Sequence, residues 1–240
     1  MTRKLGLNIG CFTIQCSSTE RTCWINADIL DLSEWSKEHG YNFQQFDARQ
    51  GIPWSDGSVD LIIASHFLEH ITRAEGDRFL KECSRVLKPG GVLRITVPDT
   101  KLIAAAYGNL KAKFSANEGV KNAEDEAEAF WNFLTVGHLT AYDEDSLGAK
   151  MNNAGFTTYK CDPGESNSPE IKTETKDMYA DHSLYVEGVK VTSPLSAGLA
   201  PAPGVVAQVP LPERDQAIEK PKDTKAYQKY LQGLVSEGKQ

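Results

Sequence analysis

Four apolar runs near the start of the chain each end on a residue that could bind a ligand or move a proton. Leu5 to Ile9 runs into Gly10, Trp24 to Ile29 carries Asp28 near its end, Tyr41 to Phe46 runs into Asp47, and Val59 to Ala64 runs into Ser65 and His66. A glycine at such a point lets backbone approach a ligand closely. A carboxylate at the end of the second run is suited to accept hydrogen bonds from a ribose diol. His66 reads as a general base or substrate contact, with a structural hydrogen-bonding histidine as the alternative. His66, Glu69 and His70 form a His-X-X-Glu-His string, and the two imidazoles at i and i+4 could share a helix face. Two imidazoles make an incomplete metal site, and no third ligand is evident nearby, so no metal is expected. His138, ahead of Tyr142, is a second catalytic candidate, with a capping or packing role as the alternative. Cys11, Cys16 and Cys23 match no zinc spacing and read as ordinary loop thiols.

These residues need elements to hold them. Val59 to Asp99 reads as a complete strand, helix, strand unit. Val59 to Ala64 is nearly all apolar, as in a strand buried on both faces of a parallel sheet. Phe79, Leu80, Cys83, Val86 and Leu87 then recur at helical spacing and give one apolar stripe. Lys88-Pro89-Gly90-Gly91 is a helix stop, and Val92 to Val97 is the returning strand, parallel to the first. Upstream, Leu32 to His39 is a short helix and Tyr41 to Asp47 a third strand. Downstream, Leu102 to Tyr107 starts a helix, and Asn117 to Glu128 is acidic enough for a solvated helix face or a lid. Phe130 to Leu134 is an aromatic cluster read as core. Asp143 is placed to cap a helix running to Asn153. Phe156 to Cys161 and Ser183 to Glu187 form an antiparallel pair joined by a polar loop.

Composition bounds the function. With 240 residues, 40% of them hydrophobic, the chain can build one α/β domain with a segment to spare. The net charge of −7 gives no footprint for nucleic acid or an anionic membrane and favours a small or neutral substrate. No apolar run approaches the roughly 18 residues of a membrane span, so a cytoplasmic protein with reduced, structural cysteines is expected.

The blocks Leu7-Asn8-Ile9-Gly10-Cys11, Trp24 to Asp28, Asp47-Ala48-Arg49, Ser65 to His70, Arg85 to Gly91 and Pro98-Asp99 occur in an order and spacing that resemble the class I S-adenosylmethionine-dependent methyltransferases, in the small methyltransferase-11-like subgroup. The resemblance covers about residues 5–190. It implies an α/β, Rossmann-like doubly wound fold with a mainly parallel seven-stranded sheet and an antiparallel last strand. It also implies S-adenosyl-L-methionine as cofactor, with Gly10 and Cys11 near its methionyl part, Asp28 at the ribose, Asp47 and Ala48 at the adenine, and Ser65 and His66 beside methionine and substrate. Methyl transfer relies mostly on orientation, with a base where the acceptor must lose a proton. On this analogy the acceptor is expected to be a sugar or other small molecule methylated on oxygen. No Asn-Pro-Pro-Tyr or Asp-Pro-Pro-Tyr follows the fourth strand, which speaks against a nucleic-acid substrate.

The sequence departs from the family at Phe12, where a loop glycine is usual. That departure sets an alternative, a catalytically degenerate copy of the fold that binds or scaffolds through its C-terminal tail. Three segments are expected: a methyltransferase-like domain over 1–191, a proline-rich linker over 192–222, and an amphipathic helix over 223–240 that docks on a second copy or a protein partner.

Overall fold

The computed structural model describes residues 2–115, 117–135, 137–174 and 179–191. The linker and amphipathic helix expected over 192–240 lie outside the described residues. The strands are β1 (Lys4–Ile9), β2 (Thr22–Asp28), β3 (Phe43–Gln45), β4 (Val59–Ser65), β5 (Leu87–Pro98), β6 (Phe156–Cys161) and β7 (Ser183–Lys190). The helices are α1 (Ser33–Glu38), α2 (Arg73–Val86), α3 (Thr100–Ala105), α4 (Leu110–Lys113), α5 (Glu118–Lys121), α6 (Glu126–Thr135), α7 (Glu144–Asn153) and α8 (Pro169–Glu174). They build one seven-stranded sheet in the order β3-β2-β1-β4-β5-β7-β6. β3 to β5 are parallel, and β7 runs antiparallel to both β5 and β6.

The apolar runs become strands because both their faces are covered. Leu7, Ile9, Ile62, Ala64, Leu93, Ile95 and Val97 sit in the main core together with Phe79, Leu80, Cys83 and Val86 of α2. Each fully buried side chain of this kind contributes about 1.5–3 kcal/mol. The expected parallel pair between the fourth and fifth strands is present, with Leu61 opposite Val92 and Ala64 opposite Ile95. The fifth strand starts earlier than the sequence suggests, at Leu87, which pairs with Val59 before the register jumps. The intervening Lys88 to Gly91 turn bulges out, with Gly90 at a φ of 77°.

Other differences follow from burial. The third strand shortens to Phe43–Gln45, because only those residues pair with β2. The polar loop expected between β6 and β7 contains α8, whose one buried apolar residue, Ile171, packs against Trp24, Cys16, Leu61 and Ile63. The acidic stretch expected as a solvated face or lid forms α5 and leads into α6, and the pair closes a second apolar cluster of Ile103, Leu110, Phe114, Val120, Ala129 and Phe133. The aromatic cluster divides, with Phe133 buried and Trp131 66% exposed. Asp143 caps α7 through a reciprocal bond with Ser146.

β5 and β7 are tied across their register by a fully buried ion pair, Arg94 Nη1 to Glu187 Oε1 at 3.0 Å. The five cysteines are buried, and none of them forms a disulfide. Among the described residues, no helix is long and apolar enough to cross a membrane.

Candidate active site

The C-terminal ends of β1 and β2 meet around Gly10 and Asp28. The amides of Gly10 and Cys11 both donate to the Ala27 carbonyl, at 2.8 and 3.1 Å, so the chain folds back over the end of β2. Gly10 has a φ of 67°, and a β-carbon there would lie 2.8 Å from the Phe67 ring. Phe12 occupies the left-handed region at a φ of 41°. Holding a residue with a side chain there costs about 1–2 kcal/mol. The backbone shape that a glycine would take is therefore kept, with a half-buried ring added. The Phe12 amide donates to Asp28 Oδ2 at 2.9 Å and the Leu30 amide to Oδ1 at 3.0 Å.

With the Ile29 amide also acting on it, the Asp28 carboxylate keeps acceptor capacity beyond these backbone bonds, which suits a hydroxyl group. Burial raises the Asp28 carboxyl above its ordinary value, opposed by those amide bonds. Cys11 is buried, and burial followed by the neighbouring Asp28 charge pushes its thiol well up, so it packs as a neutral group. Asp47 lies beyond β3, bound by both arms of Arg49 at 2.8 Å and by Gln50 at 3.2 Å. The Arg49 bonds hold its carboxyl below the usual range. Ala48 is turned into the main core near Ile52 and Trp54.

The end of β4 forms the other half of this edge. His66 also has a left-handed φ, 51°, and its amide donates to the Thr96 carbonyl at 2.8 Å. That strained turn brings the ring under the start of β7: Nδ1 lies 2.9 Å from Glu69 Oε1 and Nε2 lies 3.1 Å from Ser183 Oγ. The Tyr179 ring stands edge-on at 5.3 Å. Glu69 sits in a 3-10 turn, Leu68–His70, and its side chain is 1% exposed. Burial alone would raise its carboxyl, but the His66 bond and the imidazoles of His66, His70 and His138 hold it below the carboxylate range. An ionised Glu69 accepts the Nδ1 proton of His66, which makes Nε2 the acceptor nitrogen, with Ser183 Oγ at its lone pair. Ser65 is half-buried beside it.

His138 does not reach His66 by a direct bond among the contacts resolved. Its ring stands edge-on to His70 at 5.0 Å, and burial pushes it down to about 4, so it is neutral near pH 7. The fold thus supplies the third metal-capable side chain that the sequence analysis found lacking: donor atoms of Glu69, His70 and His138 lie within 4.8 Å of one another. The spacing of the His-X-X-Glu-His string was the one available signal for Glu69. Ser183 and Tyr179 had no signal at all.

A larger cleft, about 260 Å³, lies at the opposite sheet edge between Lys4, Asp60, Lys88 and Glu170. Its charges are already paired as Lys88–Asp60 and Lys4–Glu170, and it holds none of the residues above.

The stretch that resembles known proteins includes the edge at Gly10 and His66. Residues 9–95, from the end of β1 through β5, match the family model described as a methyltransferase domain. Over those residues the chain is similar to methyltransferase domains. It is 30% identical over 116 residues to the ubiquinone/menaquinone biosynthesis C-methyltransferase UbiE of Pseudoalteromonas translucida, covering 46% of this chain and 45% of that one. With UbiE of Hahella chejuensis it shares 28% identity over 144 residues, 57% of this chain and 56% of the relative. The chain thus spans about half the length of the curated relatives it matches. Its fold is that of a SAM-dependent methyltransferase from Archaeoglobus fulgidus, with a TM-score of 0.51 at 16% identity over 78% of this chain and 86% of the other.

Proposed function

We propose that this chain transfers a methyl group from S-adenosylmethionine to a small acceptor, with His66 taking the acceptor's proton. The observation that carries this is the His66–Glu69 pair at the end of β4, on the same sheet edge as Gly10 and Asp28. The residues present fit the cofactor at its nucleoside end, where Asp28 has acceptor sites to spare and the Gly10-to-Phe12 loop keeps a left-handed turn. Asp47, once released in part from Arg49, is the candidate adenine contact. Gly10 would lie along the methionyl part, in a space narrowed by Phe67. When bound, the cofactor supplies a methyl group activated on a sulfonium sulfur.

The protein's own part is to orient and to deprotonate. Glu69 fixes the His66 ring through Nδ1 and stabilises the imidazolium that forms when Nε2 accepts a proton. Ser183 and Tyr179 face the same ring and are placed to position an acceptor. Nothing in the relatives' names favours a sugar: they are C-methyltransferases of quinone biosynthesis. The acceptor proposed is therefore a small molecule whose nucleophilic carbon or oxygen must lose a proton, a class in which a base matters and an amine acceptor does not belong.

Calorimetry with S-adenosylmethionine and its demethylated product, followed by labelled methyl transfer across phenols, enolisable ketones and sugars, tests the reading. Binding of cofactor and transfer to one class, with transfer abolished in His66→Asn, is the expected result. No heat in either the natural chain or Phe12→Gly would overturn it, and binding only in Phe12→Gly would trace the failure to the loop.

A further inference from the structure

We infer that Glu69, His70 and His138 form a binding site for a single first-row divalent cation of the zinc type. This goes beyond the methyltransferase reading and does not depend on it. The orientation of the His70 ring is the first argument. Its Nδ1 lies 2.6 Å from the Gly137 carbonyl, which can only accept, so Nδ1 carries the proton. In the neutral ring Nε2 then presents a lone pair, and it faces Glu69 Oε1 at 4.0 Å. With Nδ1 donating to that carbonyl, Nε2 and Oε1 are two acceptors set across the gap with no proton between them. A cation between them removes the conflict. An imidazole whose outer N–H is held by a backbone carbonyl is also how metal-bound histidines are oriented.

Glu69 gives the second argument. Its Oε1 is engaged by His66, but Oε2 is buried and has no hydrogen-bond partner among the described residues. Leaving a charged acceptor dry and unpaired is costly, so an ion is the natural occupant beside it. Two more buried oxygens, Thr100 Oγ1 and Tyr142 Oη, also lack a partner among the described residues. Both residues line the same small cavity of about 10 Å³ as Glu69 and His138. That is room for one atom-sized occupant.

The third argument is preorganisation. The amides of Leu139 and Thr140 both donate to the Glu69 carbonyl, at 2.8 and 3.1 Å, while His70 holds the Gly137 carbonyl. The segment carrying His138 is thus bonded on both sides to the turn carrying Glu69 and His70. Donors within 4.8 Å need to contract to about 3.3 Å to give tetrahedral bonds of about 2.0–2.1 Å, a shift that side-chain rotation can supply. Two imidazoles and one carboxylate suit zinc, iron, cobalt or manganese, whereas magnesium and calcium favour all-oxygen sets.

The test uses the full, tag-free chain stripped with a chelator and titrated with Zn²⁺ by calorimetry, with Co²⁺ absorption as a second readout. One equivalent should bind with a micromolar or tighter Kd, raise Tm, and give visible Co²⁺ bands of low coordination number. Glu69→Gln and His138→Ala should each weaken binding more than the ~100-fold expected for a partner behind the ligands, and His39→Ala should leave it unchanged. Far-UV circular dichroism checks that each variant is folded, and His70→Gln replaces any that is not. Absence of saturable binding at 1 mM Zn²⁺, or equal affinity in the folded ligand variants and His39→Ala, would overturn the site.

Discussion

At the β1–β2 end of the functional edge, Asp28 takes its Phe12 amide from 16 positions away, whereas at the β4–β7 end His66 reaches Ser183 across 117 positions. The first region is made almost wholly of backbone amides and one carboxylate, so it forms once neighbouring strands pair. The second needs the sheet closed on β7 and the segment after α6 laid back on the Glu69 turn. The half proposed to hold the ligand thus rests on local chain geometry, and the half proposed to handle the proton rests on long-range closure. Perturbing each half should leave different signatures.

The largest separation is expected from His66→Asn. Losing the base should lower kcat by about 10²–10⁴-fold, with cofactor affinity unchanged in calorimetry. An equal loss of both would mean that the two halves are one unit.

Gly10→Val attacks the other half through structure. A left-handed φ costs an L-residue about 1–2 kcal/mol, and the new side chain would collide with the Phe67 ring. Overpacking adds about 1–3 kcal/mol, so urea denaturation should show a midpoint shift worth about 2–5 kcal/mol with little change in slope. A smaller shift would mean that Phe67 moves aside freely.

Asp28→Asn is milder. Replacing a charged acceptor by a neutral one should weaken binding of the demethylated cofactor by about tenfold, or about 1.4 kcal/mol, while kcat at saturation holds. A fall in kcat without weaker binding would move Asp28 to the proton-handling half.

The smallest effect concerns His182, which packs between Phe114 and Phe133 at ring distances of 5.5 and 4.8 Å. Burial lowers its pKa below 6.5, opposed by Asp181. The folded state therefore prefers the neutral ring. The stability this gives is complete above pH ~6.5 and is lost as pH falls through the folded value. Tm should decline between pH 7 and 5 less steeply in His182→Gln than in the natural chain. Parallel declines would show that His182 titrates freely.

The same contrast governs what was legible in the sequence. β1, β2, β4 and the buried face of α2 could be read because apolar runs and helical spacing are local signals, and Asp28 because it punctuates such a run. β3 was read too long, since pairing with β2 and not residue type sets its ends. α8 was missed because a helix with one buried residue, Ile171, carries no periodic stripe. At the acceptor half, His66 and His138 were named but their connections were not. Burial of Glu69, and the return of Gly137 to His70, depend on where a distant segment lands, which spacing does not encode.

The place of β7 between β5 and β6 has a consequence for how the chain is made. Ser183–Lys190 is the last described strand in sequence yet an interior one in the sheet, so while the polypeptide is being synthesised β5 offers an unpaired apolar edge for the time needed to add the residues from 99 to 190. At about 5–20 residues per second that is roughly 5–20 seconds of exposure to wrong strand partners. A nascent chain stalled before Ser183 should therefore be held by chaperones or aggregate, while one stalled after the β7 sequence has cleared the ribosome should resist proteolysis.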